Sequence, residues 1–244
     1  QSEKDQRPGL QQTGKYVCSE ITIQQDNEYR GANYLLALLV VILQAITLLA
    51  TVIGSRSGGC DGGMKKVILS LALGTFGLGM AEFGIMGVRS GLAHNVGMSS
   101  PASGHMISYY ALGVVVGAPI SALFSSRDSL KHILLFLVAL CVIGNAMFTL
   151  SSSYLMLAIG RLVSGFPHGA FFGVGAIVLS KIIKPGKVTA AVAGMVSGMT
   201  VANLLGIPLG TYLSQEFSWR YTFFLIAVFN LSVMGSGFFW VPGI

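Results

Sequence analysis

The stretch His132-Ile-Leu-Leu-Phe-Leu-Val-Ala-Leu-Cys-Val-Ile-Gly-Asn-Ala-Met-Phe-Thr-Leu-Ser151 runs through twenty residues without one Asp, Glu, Lys, Arg or Pro. As a helix rising 1.5 Å per residue it is about 30 Å long, the thickness of a bilayer's hydrocarbon core. Its apolar residues are continuous rather than alternating, which selects a spanning helix over a strand of a membrane barrel. Six further runs of the same kind occupy 33–53, 66–88, 104–125, 154–180, 188–213 and 221–242. The expected fold is therefore an all-α membrane protein of seven transmembrane helices.

Composition agrees. Of the 244 residues 53% are apolar and 10% are charged, against about 25% charged in an ordinary soluble domain. So few charges could not cover the surface of a soluble fold, which argues against a cytosolic enzyme. Three scattered cysteines, Cys18, Cys60 and Cys141, make neither a disulfide framework nor a zinc site. There is no phosphate-cradling glycine loop ending in Lys-Ser/Thr and no metal-spaced His, Cys or Asp cluster, so no enzyme activity, cofactor or metal is expected.

Residues 1–63 hold five basic and six acidic side chains; residues 64–244 hold ten basic and three acidic. That basic excess lies in short gaps between apolar runs, the pattern by which a bilayer orients a polytopic chain, and not in a nucleic-acid-binding patch. Lys65, Lys66, Arg127, Lys131, Lys181, Lys184 and Lys187 fall on one side if the helices alternate, and Arg89 and Arg220 on the other. The larger group marks the cytoplasm, which puts the N-terminus outside and Ile244 inside.

Four domains follow. Residues 1–32 form a polar tail; the chain begins with Gln rather than Met, as a processed, truncated or engineered chain would. Residues 33–53 read as a single transmembrane helix, and 54–63, Gly-Ser-Arg-Ser-Gly-Gly-Cys-Asp-Gly-Gly, as a flexible linker. That linker resembles a fusion joint, with a natural glycine-rich loop as the alternative. At about 17 Å r.m.s. span it is too short to recross the bilayer. Residues 64–244 form a six-helix unit.

Four segments of that unit carry chemistry. Leu73-Gly-Thr-Phe-Gly-Leu-Gly-Met-Ala-Glu-Phe-Gly84 contains Glu82, the one carboxylate expected at membrane depth after residue 63. Such a group is expensive in lipid unless paired, hydrated or protonated, and a proton carrier uses that property; a hydrogen-bonded structural carboxylate is the alternative. Leu123-Phe-Ser-Ser-Arg-Asp-Ser-Leu-Lys131 is a turn whose Arg127 and Lys131 fix topology at the least. Gly160-Arg-Leu-Val-Ser-Gly-Phe-Pro-His-Gly169 buries Arg161, which should face a cavity or a carboxylate. Mutual compensation with Glu82 is the expected arrangement. Pro167 should bend this helix, and His168 is a second titratable candidate, though a lone histidine in a bundle is more often a satisfied core residue. Finally, Gly194 to Gly210 spaces Gly198, Asn203, Gly206, Pro208 and Gly210 along one helix. Small residues four apart let backbones approach closely, and the pairs Gly113/Gly117 and Gly169/Gly173 repeat the device.

In this order, and followed by Ser218-Trp-Arg-Tyr-Thr-Phe223, these segments resemble the N-terminal half of a major facilitator superfamily transporter. The likeness is to bacterial sugar-efflux permeases of the drug and sugar proton-antiporter branch. It covers 64–244 and leaves 1–63 unaccounted for. The 123–131 turn departs from the family's cytoplasmic loop motif, since Ser126, Ser129 and Leu130 replace its usual Asp, Gly and Arg. The resemblance implies two three-helix repeats, proton-coupled efflux of a sugar or small organic compound across a bacterial inner membrane, and a role in coupling for Arg161, which matches the family's fourth-helix Arg-x-x-x-Gly motif. Glu82 and, second to Arg161, His168 join it as coupling candidates on the residue argument above. The resemblance also implies a partner: a second six-helix chain or a homo-oligomer, because alternating access rocks one half against another. The rival readings are a non-transporting fusion of a single-pass helix to a half-transporter and, third, a seven-helix receptor.

Overall fold

The structure, a computed structural model, describes residues 60–124 and 129–243. The expected tail, the helix at 33–53, most of the linker and Arg127 lie outside the described residues. What is described is helical: α1 Cys60–Val96, α2 Ser100–Phe124, α3 Leu130–Leu150, α4 Tyr154–Ile182, α5 Val188–Glu216 and α6 Trp219–Trp240. Five of these, α1 and α3 to α6, are long and apolar enough to cross a membrane.

Each helix matches an expected run with its ends shifted by a few residues, and α1 overshoots most. It begins at Cys60, so residues 60–63 belong to a helix and not to the expected linker, and it ends eight residues past the expected 88. Once a helix is nucleated, each added residue gains a hydrogen bond for one more pair of dihedrals, so extension continues into sequence that would not nucleate alone. Glycine at positive φ then turns the chain at Gly97, after α1, and at Gly186, between α4 and α5, a conformation in which a Cβ would clash.

The principal packings are α1 on α5, α2 on α4, α3 on α4, α1 on α6 and α3 on α6. Exchanging α1 with α4, α2 with α5 and α3 with α6 returns the same set, the relation expected of two three-helix repeats. Contacts show that α3 runs antiparallel to α4, with Gly144 against Ser164 and Gly160 against Phe148, and antiparallel to α6, as alternation of successive helices requires. Lys131 at the start of α3 sits over the Phe238 ring near the end of α6, 5.0 Å from its centroid. Arg220 at the start of α6 donates to Thr149 O at the end of α3, at 3.0 Å. Lys65, Lys66, Lys131, Lys181, Lys184 and Lys187 therefore gather at one end, and Arg89 and Arg220 at the other.

Glycines build the two tightest seams. At Gly198 a Cβ would strike the α1 backbone at Ala72 O, and at Gly210 it would strike Gly84 O. On the other seam Gly113 and Gly117 lie against Leu162 O and Phe166 O of α4, and Gly165 against Tyr110 O. The expected pair Gly169/Gly173 divides: Gly169 packs on Val114 and Ala118, whereas Gly173 faces open space. Pro167 and Pro208 sit inside continuous helices. Each lacks the amide hydrogen that the carbonyl four residues earlier would receive, but neither ends its helix.

Candidate functional site

The seams carry four side chains from three helices to one place. From α1 comes Glu82, from α2 Tyr110, and from α4 Arg161 and, two turns on, His168. The Glu82 side chain keeps 32% of its surface exposed, His168 only 7%, and a carboxylate oxygen lies 3.5 Å from His168 Nε2. Arg161 is wholly buried.

The expected ion pair between Glu82 and Arg161 is not the arrangement found. Arg161 instead donates through Nη1 to Ala81 O at 2.8 Å and through Nε to Met106 O at 3.4 Å. Its guanidinium carbon lies 4.5 Å from the Tyr110 ring centroid, 5.4 Å from that of Phe223 and 5.5 Å from that of Phe148. The reason is geometric. A residue facing the α2 seam points its fork at helical carbonyls and ring faces, which together take a planar cation out of lipid. Nη2 of Arg161 is buried with no hydrogen-bond partner, so the charge is held mainly by rings and backbone.

Of the expected coupling residues, then, Glu82 and His168 meet directly and Arg161 braces them. It bonds the carbonyl of Ala81, next to Glu82, and the carbonyl of Met106, one turn before Tyr110. The residue that sequence reasoning missed is Tyr110. Its hydroxyl lies 2.8 Å from His168 Nδ1 and 3.3 Å from Leu78 O. A tyrosine well inside an apolar run, rather than at an interface, is the signal that could have found it.

The glycine-rich segment of α5 divides by burial. Gly198, Gly206 and Gly210 are buried against α1, whereas Asn203 and Pro208 are exposed. Two polar contacts also brace α1: Thr75 Oγ1 donates to Met195 O of α5, and Asn230 Nδ2 of α6 donates to Gly77 O at 3.4 Å.

This is a bundle of apolar helices with a carboxylate, a histidine and an arginine inside it, and residues 71–243 match the Major Facilitator Superfamily. The chain belongs to that family and is a multi-pass membrane protein. It is similar to "Putative transporter AraJ" of Escherichia coli (strain K12), 92% identical over 181 residues, which are 74% of this chain and 46% of that protein. It is also similar to "Inner membrane transport protein YdhP" of the same strain, 39% identical over 175 residues, 72% of this chain and 45% of that one. A third relative is "Uncharacterized MFS-type transporter YtbD" of Bacillus subtilis (strain 168), 35% identical over 65% of this chain and 40% of its own length. The chain thus spans about half the length, or less, of these relatives.

Proposed function

We propose that this chain is half of a proton-coupled efflux transporter for a sugar or small organic compound, seated in a bacterial inner membrane, with the Lys-rich end in the cytoplasm. The observation that carries the reading is the Glu82–His168 contact: a carboxylate and an imidazole 3.5 Å apart, joining α1 to α4, one a third exposed and the other covered. Such a pair can take a proton from water on its open side and hold it between two basic atoms, while Arg161 keeps the local charge balanced.

A second six-helix half is part of the proposal. Alternating access needs two bundles around a midplane site, and the relatives are about twice as long as the matched region. The exposed face of α5, with Val201, Leu204 and Ile207 beside Asn203, is apolar surface that such a half would cover.

The test is reconstitution in liposomes under an imposed pH gradient, with radiolabelled pentoses and hexoses as probes. The 244-residue chain alone, shown to be a monomer, is expected to give no gradient-driven flux. Co-reconstituted with the part of AraJ that it does not span, it should give flux that Glu82→Gln removes. Flux from the monomer overturns the half-transporter reading, and flux indifferent to the gradient overturns proton coupling.

A further inference from the structure

We propose that Tyr110 is a positioning residue for the Glu82–His168 pair: its hydroxyl decides which ring nitrogen of His168 carries the hydrogen, and it turns when the pair takes up a proton. This rests on the reading of that pair as the proton-binding site.

The ring of Tyr110 has no freedom to contribute. It is 2% exposed, it lies beneath the Arg161 guanidinium at 4.5 Å, and Arg161 holds Met106 O one turn earlier on the same helix. What remains free is the torsion of the O–H bond. Two partners are in reach, His168 Nδ1 at 2.8 Å and Leu78 O at 3.3 Å. Leu78 O can only accept, whereas Nδ1 accepts when bare and donates when protonated.

With the Glu82 carboxylate ionised, two arrangements satisfy every group. In the first, Tyr110 O–H donates to a bare Nδ1. The neutral ring then carries its hydrogen on Nε2, aimed at the Glu82 carboxylate. In the second the ring is an imidazolium: Nε2–H still faces Glu82, Nδ1–H donates to the Tyr110 oxygen, and Tyr110 O–H turns to Leu78 O. Passing from the first to the second binds one proton taken from water, and the reverse returns it; Tyr110 keeps its own hydrogen throughout. The titratable groups in contact with the imidazole are Glu82 of α1 at Nε2 and Tyr110 of α2 at Nδ1; those that act on Tyr110 in turn are Cys141 of α3, Arg161 of α4 and Glu82. Among them Tyr110 alone is hydrogen-bonded to Nδ1. A phenylalanine would keep the ring beneath Arg161 and lose the switch.

The test uses the full chain in detergent micelles, labelled with 15N-histidine and read by two-bond 1H–15N correlation. Its four histidines are told apart by the signal lost in His168→Gln. At alkaline pH the wild type should show His168 in a single tautomer with hydrogen on Nε2. In Tyr110→Phe, with helical content by circular dichroism unchanged, the Nδ1 resonance should leave the acceptor position for the value averaged between tautomers. Glu82→Gln, which leaves the hydroxyl in place, should keep Nδ1 an acceptor. A wild-type His168 with its hydrogen on Nδ1 overturns the proposal before any variant is made, and so does a Tyr110→Phe spectrum identical to wild type. Loss of proton-coupled flux as a reading would leave these spectra as expected, so the two failures are distinguishable.

Discussion

The Nε2 atom of His168 lies 3.5 Å from a carboxylate oxygen of Glu82, and this contact, not one between Glu82 and Arg161, is the side-chain-to-side-chain link between α1 and α4 at the site; Arg161 joins the same two helices through the backbone, at Ala81 O. The two links divide the work of three residues. On the proposed reading Glu82 and His168 exchange a proton; Arg161, fully buried, bonds the backbone of both helices that carry Glu82 and Tyr110.

Residues that touch should show coupling in a double-mutant cycle, and residues that do not should be closer to additive. Glu82→Gln combined with His168→Gln is expected to deviate from the sum of the singles by about 0.5–1.5 kcal/mol, discounted for the partial exposure of the carboxylate. Glu82→Gln with Arg161→Gln should deviate less. Thermal unfolding in detergent checks both cycles. The reverse ranking would restore Arg161 as the partner of Glu82.

Arg161 itself should be the costliest of the polar substitutions. Arg161→Ala removes two hydrogen bonds, the contact with three rings and most of a large buried side chain, and is expected to lose about 2–5 kcal/mol. Arg161→Lys should recover little. An ammonium is a compact point charge that lacks the planar fork spanning Ala81 O and Met106 O and lacks a face to lay on Tyr110. A lysine variant melting at the wild-type temperature would show that charge alone is what the site requires.

How much of this was legible in the chain can be argued residue by residue. The helices followed from uninterrupted apolar runs, because a bilayer removes every other way to satisfy the backbone. Glu82, Arg161 and His168 stood out because charge and titratable groups are rare at that depth. Their partners did not, since a sequence gives depth but not azimuth: Arg161 faces the α2 seam, and only packing determines that its fork meets Ala81 O and the Tyr110 ring. Tyr110 was hidden for the same reason, its phenol looking like one more aromatic in an aromatic-rich chain. The ends of α1 were misjudged because local composition at 60–63 favours a linker, whereas propagation from the apolar run carries the helix through it.

The alternation of helices makes opposite ends chemically distinguishable. Lys184 beside Gly186 and His94 near the end of α1 are exposed, and they belong to opposite ends of the bundle. Single cysteines at these positions, on a background with Cys18, Cys60 and Cys141 replaced by serine or alanine, should label differently in intact cells. An impermeant maleimide is expected to modify His94→Cys and to spare Lys184→Cys until the membrane is opened. The opposite pattern would invert the orientation, and equal labelling would contradict the alternation.

The last prediction sets the glycines of the α1–α5 seam against glycines that meet nothing. At Gly198 and Gly210 a Cβ would enter the backbone of α1, at Ala72 O and Gly84 O. A backbone cannot swing aside as a flexible side chain can, so accommodating one methyl group requires the two helices to separate along the seam. Separation would also loosen the Thr75 bond to Met195 O and shift Glu82, which follows Gly79 on the same helix. Gly198→Ala and Gly210→Ala should each cost about 1–3 kcal/mol, the range for overpacking a tight core. Gly173 and Gly235 have open space where the Cβ would be, and both are inside helices. There the methyl group meets nothing, and alanine gains about 0.5–1 kcal/mol of helix preference over glycine. Thermal unfolding of the four single variants in the same detergent therefore has an expected sign for each: two lowered melting temperatures, two unchanged or raised. If Gly198→Ala melts with Gly173→Ala, close approach of α5 to α1 is not what those glycines supply.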